Sequence, residues 1–270
     1  MNKKKNLKNK LDNNNIKITF DDNYYKNIFC NNNFLKEYGK EIIKNLFNTE
    51  DNHMTDIYLD EYLRIKYLST VYNILTKANY KKKKFNDNIL FIITKITDKL
   101  ISQFRYDINE KALELIYYGA LCIAYKLETG RIIKFSTFET CLKRCLINKN
   151  LLRTFEKTIN NILNYNYLFS YPNDFLEIYK NMDKTQSIKE LDNVCKLLIK
   201  FALFTKKFSE QKTSFMTLTA YYIGKLKITK SLNWSYDIQL LTGYDKKKII
   251  ENIREFTYEL KINYNILINY

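Results

Sequence analysis

The chain has 270 residues, with 45 Lys+Arg against 29 Asp+Glu and a formal net charge of +16. Its 5 Gly and 1 Pro are too few for a fold of tight hairpins or for a glycine-lined phosphate loop, which leaves a mainly helical protein of one large domain or two of about 100 residues. The charge is carried by 39 Lys and only 6 Arg; Arg is the residue suited to bidentate recognition of guanine and phosphate, so the basicity reads as compositional background and argues against nucleic acid.

Residues 1–33 are rich in Lys and Asn with little periodicity, as expected of a disordered basic tail, and Lys3, Lys4 and Lys5 read as solvated charge. Phe34, Leu35, Tyr38, Ile42, Leu46 and Phe47 recur at helical intervals and predict an amphipathic N-terminal helix over 34–52. A second stripe runs through Tyr62, Leu63, Leu68, Val71 and Leu75, and Lys81–Lys84 then marks an exposed connection. Ile89, Ile93, Ile96, Leu100 and Phe104 define the next helix face, followed by a cap-like Asp107-Ile108-Asn109-Glu110. Ala112–Leu127 is apolar nearly all round, the pattern of a helix surrounded by others.

Shorter helical segments are expected at Phe135–Leu142 and Leu151–Leu163, and the pattern breaks around Ser170, Tyr171 and the sole proline, Pro172. A second series then repeats the plan through Phe175–Tyr179, Leu191–Phe204, Phe215–Leu226 and a last helix from Lys246 to about Leu260. Ala120 and Ala220 occupy comparable points of the two apolar helices. The expected architecture is all-α: two tandem five-helix bundles, over 53–170 and 171–270, preceded by the N-terminal helix.

Reaction chemistry finds little support. His53 is the sole histidine, so a two-histidine zinc site is impossible and a catalytic triad would rest on one residue in an Asn/Asp-rich stretch. Cys30, Cys122, Cys141, Cys145 and Cys195 are odd in number, without CxxC pairing and with no apolar leader before them, which predicts a reducing, intracellular setting in nucleus or cytoplasm. Cys141 and Cys145 share a predicted helix face, but no second pair completes a metal site. Leu115–Tyr125 is shorter than the about 20 residues that cross a bilayer. No cofactor, metal or membrane association is expected, and the chain is not expected to be an enzyme.

The run from Leu115 to Glu128, Leu-Ile-Tyr-Tyr-Gly-Ala-Leu-Cys-Ile-Ala-Tyr-Lys-Leu-Glu, resembles the third helix of a cyclin box, with its small and apolar residues ending in an Ala-Ser-Lys-Phe/Tyr-Glu-Glu signature. Other landmarks fall in order. Arg64 resembles the arginine of the first box helix, Asp98 the aspartate of the second, Leu115 the leucine of the third and Glu156 the Met-Glu glutamate of the fifth. Leu163-Asn164-Tyr165-Asn166-Tyr167 resembles the closing Leu-x-Phe-x-Leu. Asn233-Trp234-Ser235 and Thr242-Gly243-Tyr244 are similar to the Ser-Trp-Pro…Thr-Gly-Tyr stretch of A- and B-type cyclins. The likeness covers about residues 37 to 262.

The resemblance implies an activating subunit of a cyclin-dependent Ser/Thr kinase, in cell-cycle control at G2/M. Lys126 and Glu156 would bind backbone groups around the kinase regulatory helix, Leu127, Tyr165 and Tyr167 would supply apolar contact, and Glu128 further charge. Arg64, Asp98, Leu115, Trp234 and Gly243 would be structural landmarks. Protein substrates or inhibitors would be further partners, but the family's substrate-docking patch is degraded: its positions are Leu63, Lys66, Tyr67, Thr70, Leu113 and Glu114, with Thr70 where the family has Trp. Thr129 replaces the second Glu of the signature, and Ser170 stands where a proline is expected. No destruction box is present in the tail. The rival reading is a transcription-type cyclin or a nucleic-acid-binding protein of the initiation factor IIB kind. The latter normally begins with a four-ligand zinc ribbon, for which the tail offers only Cys30.

Overall fold

The computed structural model describes residues 33–51, 59–79, 88–104, 108–134, 136, 139, 147–183 and 189–268. The expected tail, the Lys81–Lys84 run, His53, Cys30, Cys141, Cys145 and most of the predicted Phe135–Leu142 helix lie outside them. The described residues form eleven α-helices and no strand. They are α1 (Asn33–Asp51), α2 (Glu61–Asn79), α3 (Asn88–Gln103), α4 (Glu110–Thr129), α5 (Lys149–Ile162), α6 (Pro172–Met182), α7 (Lys189–Phe204), the single turn α8 (Lys206–Ser209), α9 (Thr213–Thr229), α10 (Tyr236–Thr242) and α11 (Lys246–Ile268). None is long and apolar enough to cross a membrane.

The first bundle is centred on α4, which buries Leu113, Ile116 to Ala124 without interruption and packs against α2, α3 and α5. Asn109 caps its start by accepting from the Ala112 amide at 2.9 Å, and Gly130 ends it in the left-handed conformation (φ 63°), where a side chain would be strained. The second bundle repeats this around α9, which packs against α6, α7 and α11. Its left-handed C-cap, Lys230 (φ 56°), stands 100 residues after Gly130. Thr129 and Thr229 also repeat each other: each donates to the carbonyl four residues back, Tyr125 and Lys225, and accepts from the amide two residues on, Arg131 and Ser231.

The bundles share a core. One apolar cluster runs from α2–α5 into Leu198, Phe201, Phe204, Phe208, Met216 and Phe256 of the second bundle. At its centre the buried Arg64 of α2 is paired with Asp98 of α3, and Nη2 of Arg64 also donates to the Leu203 carbonyl (3.0 Å) and Ser209 Oγ (2.7 Å). Ser209 donates in turn to Asp98 Oδ2 at 2.9 Å, and Lys95 Nζ donates to the Ser209 carbonyl at 3.1 Å. Burial alone would lower the Arg64 pKa, but Asp98 outweighs it and the pKa is raised; Lys95, where burial dominates, is lowered. The two landmark residues thus hold α8 of the second bundle against the first.

Three expectations need correction. Tyr62 is 67% exposed, because in the first turn of α2 it points away from the face carrying Leu68, Val71 and Leu75. Phe104 is 43% exposed because α3 ends at Gln103 and helical spacing no longer places it. The last helix runs on to Ile268. The short helices α8 and α10 were not expected, and α1, expected to precede both bundles, packs on the second. Its Ile43 lies in the second core, its Phe47 meets Phe175 edge-on at 5.3 Å, and Ser170 Oγ donates to the Leu46 carbonyl at 2.6 Å.

Candidate kinase-binding face on α4 and α5

The face is built on the crossing of α4 and α5. Gly119 lets the helices approach: a Cβ there would meet Ile159 Cδ1 at 2.6 Å. Asn148 caps α5 by accepting from the Leu151 amide at 2.8 Å, and Leu152 and Ile159 turn inward. This crossing brings Lys126, in the last turn of α4 where a cation suits the helix dipole, onto Glu156 of α5. They form an ion pair at the surface, with side chains 38% and 14% exposed. An ion pair this open adds little to stability but keeps a lysine ammonium and a carboxylate fixed side by side, each with further hydrogen-bonding capacity.

Exposed apolar side chains stand next to the pair in the chain and in the turn after α5. Leu127 is 47% exposed and Tyr165 67%. Tyr165 and Asn164 both adopt left-handed backbone angles (φ 55° and 49°), a conformation that costs non-glycine residues of order 1 kcal/mol each. That turn presents the Tyr165 ring to solvent and sends the chain back, so that the half-buried Tyr167 donates to Asn160 Oδ1 of α5. Burial, with Glu156 adding to it, raises the Tyr167 phenol to about 12. Glu128 is partly exposed, and burial together with the nearby Glu128 charge raises the Tyr171 phenol to about 12. Beneath the face, burial and the nearby Glu156 push the Cys122 thiol up to about 12.

All six residues expected at this face are therefore near the α4–α5 crossing or the turn that follows α5. Sequence reasoning did not single out Ile132, Leu151 and Leu168, large apolar side chains near the ends of α4 and α5 that are 72%, 36% and 75% exposed. A signal existed in the pair Ile132-Ile133 just past the Gly130 stop, of which only Ile133 enters the core. The second bundle does not repeat the face, since by the cap register Leu226 stands where the first has Lys126.

The remaining sites fall elsewhere. Of the docking-patch positions, Tyr67 and Leu113 are in the core, Tyr67 stacked on Tyr117 at 5.3 Å. Leu63, Lys66, Thr70 and Glu114 are partly exposed, with Lys66 Nζ 3.5 Å from Glu110. Leu115 is half-buried against the first core. Trp234 stacks on Tyr222 at 5.0 Å and donates to Gln239 Oε1 at 2.8 Å, while Gly243 is the left-handed cap of α10 (φ 68°). Among the described residues no group of three His, Cys, Asp or Glu side chains comes together in a way that would hold a metal.

Two tandem bundles, each a central apolar helix ringed by others, with a buried Arg–Asp pair and an exposed Lys–Glu pair, agree with the family comparison. The model of the cyclin N-terminal domain matches residues 41–167 and that of the cyclin C-terminal domain residues 170–261. The chain belongs to the cyclin family. A search of curated proteins returned no match. As a cyclin it has a regulatory role of the kinase-directed kind, and the first matched domain contains the whole Lys126–Glu156 face.

Proposed function

We propose that this cyclin is the activating subunit of a cyclin-dependent Ser/Thr kinase, resembling A- and B-type cyclins and acting in cell-cycle control at G2/M, in the nucleus, the cytoplasm or both. The observation that carries the reading is the Lys126–Glu156 pair held at the surface of the α4–α5 crossing, with the exposed Leu127 next to Lys126 in the chain and the exposed Tyr165 in the turn after α5. The lysine donates to backbone carbonyls and the carboxylate accepts backbone amides, which suits a helix-loop junction whose main-chain groups lack partners. Kinase activity requires an ion pair between a strand lysine and a glutamate on the mobile regulatory helix. A partner that binds only the active placement of that helix shifts the population toward it by its differential affinity for the two states. The chain itself performs no chemistry in this scheme.

The test is the exchange Lys126→Glu with Glu156→Lys, which keeps an internal ion pair while inverting what the face presents. Individually purified cyclin-dependent kinases of the source organism are assayed for co-purification and for phosphorylation of a histone substrate. The parent chain is expected to bind and activate at least one, and the exchanged variant to do neither while its helical circular dichroism is unchanged. Normal activation by the exchanged variant would refute the reading. A fluorescent fusion tests the proposed localisation.

A further inference from the structure

Three cations lie one turn apart on the outer surface of α5: Lys149, Arg153 and Lys157, at i, i+4 and i+8, all exposed. At 100° per residue they form a stripe beside Glu156 and Asn160, opposite the Phe155 and Ile159 side that packs on α4, and it is about 12 Å long at 1.5 Å per residue. The stripe is therefore continuous with the Lys126–Glu156 face. Like charges at this spacing repel, and Lys149 sits in the first turn, where the helix dipole also disfavours a cation. The first turn of α5 has no acidic residue, and the helix's single carboxylate, Glu156, is engaged by Lys126. A first turn without an acid is shared with α11, which opens on Lys246, Lys247 and Lys248, but other helices compensate their cations. α7 opens with Glu190 and Asp192, α4 with Glu110, and the Lys247 of α11 has Glu251 four residues on. A helix surface that works against its own stability in two ways is the pattern of a functional site.

We propose that this stripe docks an acidic surface of the partner kinase, beside the regulatory-helix contact, and steers association electrostatically. The inference rests on the kinase-binding reading above and adds the chemistry of the partner's surface: carboxylates that meet Lys149, Arg153 and Lys157 along the edge of α5. Oppositely charged surfaces raise the encounter rate more than they slow dissociation, and salt screens the gain.

The experiment compares the parent chain with Lys149→Gln/Arg153→Gln/Lys157→Gln, using the kinase that the parent activates. Gln is a good helix former and removes the repulsion, so the variant is expected to melt no lower than the parent. Association measured by surface plasmon resonance at low salt is expected to be about tenfold slower, with the difference vanishing at high salt. A lower melting temperature with an unchanged association rate, or an equal rate and equal salt dependence in both chains, would overturn the proposal. So would stripe-dependent binding of a labelled DNA duplex with kinase association unaffected. Failure here, with the Lys126/Glu156 exchange still abolishing activation, removes the stripe and leaves the kinase-binding reading standing. Activation that survives that exchange removes the reading itself.

Discussion

Glu50 of α1 accepts hydrogen bonds from both the amide and the hydroxyl of Ser214 at the start of α9, each 2.8 Å long. α9 has no side-chain cap of its own at Lys212, so a carboxylate 164 positions earlier in the chain supplies it. With its hydroxyl hydrogen given to Glu50, Ser214 is left to accept from the Tyr244 hydroxyl at 2.7 Å, and its carbonyl accepts from Tyr179 at 3.0 Å. The Glu50 residue is only 3% exposed. Glu50→Ala leaves a buried amide without its acceptor and removes the anion from the helix N-terminus. The expected cost is about 2–4 kcal/mol in urea unfolding, with Glu50→Gln, which keeps an acceptor, costing less. Equal stability of the Ala variant and the parent would show that the Glu50 cap contributes nothing to the second bundle.

Arg64 and Asp98 are the second such relationship, and here the two single changes and the double change separate. Asp98→Ala strands a guanidinium that is fully buried and retains only the Leu203 carbonyl and Ser209 hydroxyl as acceptors. A broken buried pair costs about 3–5 kcal/mol, whereas replacing both partners by apolar groups is far milder. Arg64→Met with Asp98→Leu is therefore expected to unfold at a higher urea concentration than Asp98→Ala alone. Because Ser209 belongs to α8, the single change is also expected to expose the joint between the bundles to proteolysis first.

Much of this was legible in the sequence, because a helix buried on one face must repeat apolar residues every three or four positions. Ile89, Ile93, Ile96 and Leu100 are all buried in the structure, and the 100-residue repeat reappears in the caps Gly130 and Lys230. What was hidden depends on contacts distant in sequence. Nothing in the neighbourhood of Glu50 indicates Ser214, and α1 looks the same whichever bundle it covers. Tyr62 and Tyr67 are alike as letters, yet one is open to solvent and the other stacks in the core. At the α4–α5 face the ion pair was marked by its motif, but the exposure of Ile132 and Leu168 follows from where α4 and α5 stop, which periodicity fixes poorly.

The two repeated caps make an internal control. Gly130 and Lys230 share the same left-handed angles, but only glycine adopts them without strain. Lys230→Gly is expected to stabilise the chain by about 0.5–1 kcal/mol and Gly130→Ala to destabilise it by a similar amount, both read as shifts in the urea midpoint. Opposite signs at equivalent positions test the repeat directly, since a cap that is merely tolerant would respond to neither change.

Alkaline pH should unfold the protein sooner than its surface charge suggests. Burial, with Glu156 adding, raises the Cys122 thiol from 9.0 to about 12, and burial, with Asp192 adding, raises Cys195 equally; burial also raises the Tyr222 phenol from 10.0 to about 12. Each folded pKa lies above its unfolded value, so between the two the native state holds protons that the unfolded chain releases. The stabilisation is complete below about pH 9, declines as pH rises through 9 to 12 and is gone above. Lys95 works the other way: its lowered pKa means that the unfolded chain holds the extra proton, so its contribution rises with pH up to 10.5. One lysine opposes two thiols and several phenols, and the net slope is negative. Urea midpoints measured from pH 8 to pH 11 are expected to fall steadily, and Cys122→Ala should make the fall shallower by removing one titrating group. Alkylation reports the same thing chemically, since both thiols are free, buried and protonated at pH 8. They are expected to react with iodoacetamide only at the rate of unfolding, and prompt labelling of Cys122 in the native protein would contradict its raised pKa and the closed packing of α4 on α5.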